Sequence, residues 1–393
     1  MKYAALCCIA KDEDAFLKEW LACHSLMGFE HFIIYDNQSN RPIADLLEGF
    51  AGPDSLTILR GERELAQQEA YDHCLAEFGG RFKWIAFLDL DEFIRISAGR
   101  GLFGDVREFL AAYEPYAGLG LNWRMFSSAG HEKRPDGPVI ANYTRWYLDA
   151  PHMKSIVQPG KTAACAGPHS FTPRPGRHAV NADHFPIPPG FPACLPALRE
   201  ACVNHYFFKS RECFQAKIDR GNPCNIERRM EEFDRHLDLP AKEDAALAAF
   251  AVAVRQALAV DRLPLPEAPS FAFACGADRM PEAMDYLAGA REHLKKDNLR
   301  QANLCLSYAA MGNDARQAGG GFDPLLALEI WTLRAVVARK RERYDLAERY
   351  LRQAFIYGAS VQAHTELANV LLNTGRAEES KHLVDMVRNF KTL

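Results

Sequence analysis

The spacing of apolar residues over the first ninety positions alternates between two periods. Residues 3–10 form a short apolar run; Phe16, Leu17, Trp20, Leu21 and His24 then recur at helical intervals, and Gly28 closes that helix. Residues 31–37 predict a second strand, 42–50 a helix with Pro42 at its first position, 56–60 a third strand and 62–78 a third helix. Residues 83–93 predict a fourth strand whose unbroken apolar run implies burial on both faces. Strand and helix alternating in this order predict a mainly parallel sheet covered on both sides. Right-handed crossovers then bring the polar turns after these strands to one sheet edge, the expected ligand crevice.

Beyond residue 118 the pattern shortens. Strands are predicted at 119–126 and 139–147, an irregular Pro- and Gly-rich stretch at 159–196, a strand-like piece at 204–208 and a helix at 212–221. After Pro240 come an alanine-rich helix at 241–260, a proline-punctuated linker at 263–270, and helix throughout from about 280. Ala335, Tyr344 and Tyr350 align with Ala368, Ala377 and Leu383 at an offset of 33 residues, and Ala347 and Ala354 are small. This is similar to tetratricopeptide helix pairs; a plain helical cap over the sheet is the alternative.

Composition adds limits. The 393 residues leave room for two or three domains, and 48% hydrophobic with 25% charged residues marks an ordinary globular chain. A net charge of −4 gives no overall positive field, so nucleic acid is not an expected partner. Eleven scattered cysteines read as reduced thiols, hence a cytoplasmic location. Lys2 and the apolar run after it have the outline of a short leader. The charged Lys11-Asp12-Glu13-Asp14 cuts the run, and we read it as a first buried strand.

The strongest chemical signal is Asp89-Leu90-Asp91-Glu92 at the end of the fourth apolar run. Carboxylates two residues apart on a strand point to one side, and hard oxygen ligands at a sheet edge suit Mg²⁺ or Mn²⁺, which can hold a diphosphate. The second strand ends in Asp36-Asn37, where a carboxylate can hold a ribose or base, and the first runs into Lys11-Asp12-Glu13. Three acidic strand ends point to a nucleotide-sugar site.

Several motifs in order resemble a known family. They are Ala10-Lys11-Asp12-Glu13 with Trp20 and His24; Ile34-Tyr35-Asp36-Asn37; Gln68 with Tyr71; Trp84 to Phe93; Trp123 with Phe126-Ser127-Ser128; Gly167-Pro168-His169; and Asn204-His205-Tyr206 with Lys209, Lys217 and Arg220-Gly221. Residues 1–225 or so resemble bacterial GT-A glycosyltransferases related to families 2 and 92. The resemblance implies a GT-A fold, a Rossmann-like mixed α/β sheet with helices on both faces, over residues 1–235. A helical linker at 236–279 and an all-α helical-repeat domain at 280–393 complete the expected organisation.

The resemblance also implies transfer of a sugar from a nucleotide donor, commonly a UDP-sugar, to a glycan or lipid-linked acceptor in surface polysaccharide or lipopolysaccharide synthesis, with Mn²⁺ or Mg²⁺. In its terms Asp89, Asp91 and His205 hold the metal, with His169 the alternative histidine. Lys11, Glu13, Asp36, Gln68, Asp89, Lys209 and Arg220 meet the donor. An inverting reaction needs a general base, for which His131, Glu132 and Asp183 are candidates. Lys217 and Arg220 read equally as closing over the diphosphate or as a solvated helix face, and Trp123 and Trp146 as a stacking floor or as core. The helical C-terminus is a candidate contact for a protein partner or the inner-membrane surface. Two rival readings stand beside this one. The first, a haloacid-dehalogenase-like phosphatase, also uses an apolar strand ending in Asp-x-Asp. The second is a non-catalytic helical-repeat scaffold with a degenerate nucleotide-binding domain.

Overall fold

The computed structural model of the chain describes residues 1–97, 104–194, 196–221, 228–264, 283–318 and 323–390. It divides into two compact units, Met1–Leu110 with Tyr116–Ser270, and Ala111–Pro115 with Phe271–Leu393.

The first unit opens with β1 (Lys2–Ala10), α1 (Asp14–Leu26), β2 (His31–Asp36), α2 (Ile43–Leu46), β3 (Leu56–Leu59), α3 (Gln67–Phe78) and β4 (Phe82–Phe87). The order β3-β2-β1-β4 is parallel throughout, as the alternation predicts. All of β2 is buried, which explains its apolar run. The chain continues through β5 (Glu92–Ile96), α4 (Val106–Leu110), β6 (Gly118–Phe126), α5 (Val139–Asn142) and β7 (Arg145–Val157). Short strands follow: β8 (Thr162–Cys165), β9 (Phe171–Pro173), β10 (Ala179–Asn181) and β11 (Pro186–Ile187). Then come β12 (Ala201–His205), α6 (Arg211–Arg220), α7 (Met230–Leu237), β13 (Lys242–Glu243) and α8 (Leu247–Ala259). Among the described residues the main sheet runs β11-β10-β6-β7-β4-β1-β2-β3, with β12 bridging β5 and β6 and β13 on β7. Because β7 lies antiparallel to both β4 and β6, the sheet is mixed.

Four predicted elements change, each for a physical reason. The predicted strand 83–93 breaks after Phe87. Two carboxylates have no place in a doubly covered sheet, and the chain turns out of it, with Glu92 N–H bonding Asp89 O (3.1 Å) before β5 pairs with β12. The predicted strand 139–147 becomes α5 followed by β7. Buried Glu19 accepts the Val139 and Ile140 amides (2.7 and 3.1 Å), which fixes a helical turn there. The helix expected over 62–78 starts only at Gln67, because Asn37 exchanges hydrogen bonds with the Leu65 amide and carbonyl and holds 62–66 as a loop. The helix expected over 42–50 shrinks to α2, with Pro42 just before it and Ile43 N–H donating to Asp36. In 236–264, expected as part of a linker, α8 packs buried Leu247, Ala251 and Val254 against α1 and α5. The expected linker 263–270 lies outside the described residues from 265 onward.

The second unit is built from α9 (Ala283–Lys295), α10 (Leu299–Ala318), α11 (Pro324–Lys340), α12 (Tyr344–Ile356), α13 (Val361–Asn373) and α14 (Ala377–Phe390). Successive helices pack on each other around Leu287, Leu306, Ile330 and Leu333. Tyr344 and Ala377 open α12 and α14, and Ala347 and Ala354 are fully buried where the sequence places small residues. No described helix is long and apolar enough to cross a membrane.

Candidate active site

The carboxyl ends of β1, β2 and β4 and the end of β12 open onto one cleft holding about 1380 Å³ of empty space, open mouth included. This is the sheet edge at which ligands bind in α/β folds. β1 delivers Lys11 and, just beyond, Glu13; β2 delivers Asn37; β4 leads into Asp89 and Asp91; β12 delivers His205.

The turn carrying the acids is fixed from below. The indole N–H of Trp20, fully buried on α1, donates to the carbonyls of Glu92 (2.9 Å) and Asp89 (3.2 Å), and Leu88 N–H donates to Cys7 O. Asp89 N–H donates to the Glu92 carboxylate (3.0 Å), and Tyr206 N–H to Asp91 O (2.8 Å). The turn therefore spends backbone donors and acceptors on its neighbours and leaves the Asp89 and Asp91 carboxylates to the cleft.

Each carboxylate has a cation. Lys154, in the buried C-terminal part of β7 and 1% exposed, bonds Asp89 at 2.9 Å and lies 3.5 Å from Glu92. Lys217 on α6 bonds Asp91 at 2.5 Å. Burial pushes the Asp89 and Asp91 carboxyls up, but Lys154 outweighs it at Asp89, and Lys217 with His205 outweighs it at Asp91, which stays well below the usual range. Glu92 has no exposure, so burial wins there and lifts it well above an ordinary carboxyl, against Lys154. Gln67 donates to the other Asp89 oxygen (2.6 Å), and Asp89 keeps 37% of its side chain exposed.

Asp91, Glu92 and His205 bring ligand atoms within 4.8 Å of one another, with His205 Nε2 3.5 Å from Asp91. Glu92 Oε1 and His205 Nδ1 are buried without a hydrogen-bond partner among the described residues. Two carboxylates and an imidazole, one oxygen of them unspent, fit a Mn²⁺- or Mg²⁺-type ion. Trp123 joins the histidines of this wall: its ring lies 4.3 Å from His205, 5.1 Å from His169 and 5.4 Å from His152, stacked on the last. Burial, with Lys154 alongside, holds His169 down at about 4, so it stays a neutral imidazole.

Of the residues named from sequence, Lys11, Glu13, Asp89, Asp91, His169, His205 and Arg220 line the cleft. Arg220 donates to Glu13 (2.6 Å) and to the Lys11 and Asp12 carbonyls, clamping the end of β1, while Lys11 pairs with Glu64 at 2.5 Å. Asp89 stands outside the Asp91–Glu92–His205 cluster, since Gln67 and Lys154 hold its oxygens.

Seven other residues named from sequence meet a different placement. Asp36 is turned into the loop, accepting the Ser39 and Ile43 amides and pairing with Arg60, and its neighbour Asn37 faces the cleft instead. Gln68 bonds the Cys165 carbonyl, one residue out of phase with Gln67, which takes the cleft position. Lys209 is buried with its ammonium 4.1 Å from the Phe16 ring centroid, while Lys217 and Trp123, also named from sequence, line the cleft. His131 packs edge-on against Tyr143, Glu132 is exposed and pairs with Arg211, and neither lines the cleft. Asp183 is buried in the turn between β10 and β11. Trp146 is flanked by Arg124 and Lys242, away from the cleft.

Sequence reasoning named Glu92 in the acid motif but gave it no ligand role, and passed over Lys154, Gln67 and His152. A signal existed for Glu92, which directly follows the acid pair; around Lys154 the sequence has no apolar stretch that its charge would interrupt.

Residues 4–184 match the model for glycosyltransferase family 92. A family 92 protein of Ricinus communis is 29% identical over 219 residues, covering 55% of this chain and 37% of the relative. Another, from Oryza sativa subsp. japonica, is 26% identical over 217 residues, covering 54% of this chain and 34% of the relative. The matches thus span little more than a third of the relatives' length. Among solved structures, S. aureus TarS 1-349 is 11% identical with a TM-score of 0.30 and 90% coverage of each chain, a likeness too slight to carry an argument. The family match takes in the acid turn, Trp123, Lys154 and His169, and stops before His205, Lys217 and Arg220. On these findings the N-terminal half of the chain is related to glycosyltransferase family 92.

Proposed function

We propose that the first unit is a metal-dependent GT-A glycosyltransferase that moves a sugar from a nucleotide donor, a UDP-sugar by preference, to a glycan or glycolipid acceptor of a surface polysaccharide. The observation that carries this reading is the Asp-x-Asp-Glu turn with His205 beside it, at a cleft lined by Lys11, Lys217, Arg220 and Arg228. Asp91, Glu92 and His205 would hold Mn²⁺ or Mg²⁺. The ion would neutralise charge developing on the leaving diphosphate. The basic rim meets the phosphate oxygens, with the arginines offering fork geometry. Asn37, Lys11 and Glu13 lie at the ends of the first two strands and are the groups within reach of the nucleoside. Gln67 and Lys154 orient Asp89, the acid that stays accessible. An inverting transfer draws its base from the cleft carboxylates, Asp89 or Glu13, in place of His131 or Glu132.

The helices of the second unit, with α12 and α14 opening 33 residues apart, support a tetratricopeptide-like arrangement that offers a contact for the acceptor or a partner. A cytoplasmic site of action fits a nucleotide-sugar donor.

Calorimetric titration of UDP, GDP and CMP, each with and without Mn²⁺, tests the reading. UDP binding that needs Mn²⁺ is expected; absence of nucleotide binding under every condition refutes it.

A further inference from the structure

The two lysines that serve the cleft carboxylates are not equivalent. Lys154 is 1% exposed and held by three acceptors, Asp89 at 2.9 Å, the Pro168 carbonyl at 3.4 Å and Glu92 at 3.5 Å. Moving it leaves the fully buried Glu92 and the part-exposed Asp89 without this cation. Lys217 comes from α6, keeps 16% of its side chain exposed, and has one carboxylate partner among the described residues, Asp91, besides the Phe207 carbonyl at 3.1 Å. Asp91 presents its other oxygen to His205, so a divalent ion on Asp91 and His205 meets an ammonium on the same carboxylate. Two cations that close, in a partly desolvated site, repel strongly. Lys11, Arg220 and Arg228 line the same cleft, so an anionic ligand drawn there by their charge would give Lys217 a second partner.

We propose that Lys217 is an exchangeable counter-ion of Asp91: a divalent cation taking Asp91 and His205 displaces its ammonium, which then pairs with an anionic oxygen of the ligand, while Lys154 stays on Asp89 and Glu92. The inference rests on the metal-dependent reading of this cleft and adds a coupling to it. The ion frees the lysine that the anion needs, and the anion removes the lysine that the ion must evict, so each tightens the other's binding.

The test is calorimetric titration of Mn²⁺ alone into the full chain and its variants. Lys217→Met removes the competing charge and should bind Mn²⁺ about ten-fold tighter or more. Lys217→Arg keeps the charge and should stay near wild type. Lys217→Gln, which retains a donor for Asp91 and the Phe207 carbonyl, carries the same expectation as Lys217→Met and replaces it if that variant does not fold. Mn²⁺ binding to Lys217→Met or Lys217→Gln no tighter than to wild type, or absent from all of them, overturns the exchange. UDP titrated into wild type in parallel separates the two ideas. Mn²⁺-dependent UDP binding with no gain in the lysine variants leaves the transferase reading standing and removes only the exchange.

Discussion

Replacing Lys154 by methionine removes the positive charge that pairs with both Asp89 and Glu92 while filling most of the same volume. The ammonium is 2.9 Å from Asp89 and 3.5 Å from Glu92, and its side chain is 1% exposed. Breaking a buried ion pair by deleting one partner costs about 3–5 kcal/mol. Two features reduce that figure. Asp89 keeps 37% exposure and the Gln67 amide, and Glu92 is lifted well above the ordinary carboxyl range by burial, so it takes a proton more easily than it bears a bare charge. The expected loss is therefore about 2–4 kcal/mol at pH 8. The sign of the pH dependence follows. Without Lys154 both folded-state carboxyls rise, Glu92 further above its unfolded value and Asp89 from below its own, and a carboxyl that rises on folding contributes less stability as pH rises. The gap to wild type should thus shrink between pH 8 and pH 5. Urea unfolding followed by tryptophan fluorescence is the assay, since Trp20, Trp84, Trp123 and Trp146 all lie in the first unit. A loss below 0.5 kcal/mol at pH 8, or an equal loss at both pH values, refutes the argument.

Trp20→Phe should cost about 2–4 kcal/mol in the same assay, because one indole N–H serves the carbonyls of both Asp89 and Glu92 and the ring is fully buried; a loss below 1 kcal/mol contradicts the pinning of the turn. His24 should make the fold acid-sensitive. Its Nε2 accepts Ile94 N–H and its Nδ1 donates to Trp20 O, so the buried ring is neutral and burial lowers it to about 4. A depressed base contributes stability in full above its unfolded value and loses it as pH falls. Wild type should therefore lose about 3 kcal/mol from this group between pH 6.5 and pH 4. His24→Gln should flatten that limb, and identical acid limbs in the two proteins count against the assignment.

How far the sequence reads through to this site depends on what each residue answers to. The strands β1, β2 and β4 and the helices α1 and α6 are legible because burial on one stripe or on both faces imposes a local period. The acid turn is legible for the opposite reason: Asp89 and Asp91 interrupt an apolar run that has no place for charge. What escapes is set by contacts far along the chain. Glu19 turns 139–142 into a helix from 120 residues away, and Asn37 delays α3 to Gln67, which shifts the cleft-facing glutamine by one position. Asp36 looked like a ligand group by its place at a strand end, but two loop amides and Arg60 claim it. Lys209 and Lys217 carry the same chemistry in the sequence; only the packing of Phe16 under the first and Asp91 beside the second tells them apart.

The central claim meets its most direct test in UDP release from a panel of UDP-sugars, measured with and without Mn²⁺ for wild type and Asp91→Asn. The account predicts release from at least one donor that needs Mn²⁺ and falls by orders of magnitude in Asp91→Asn. Release that is indifferent to both the ion and Asp91, or none from any donor, contradicts it.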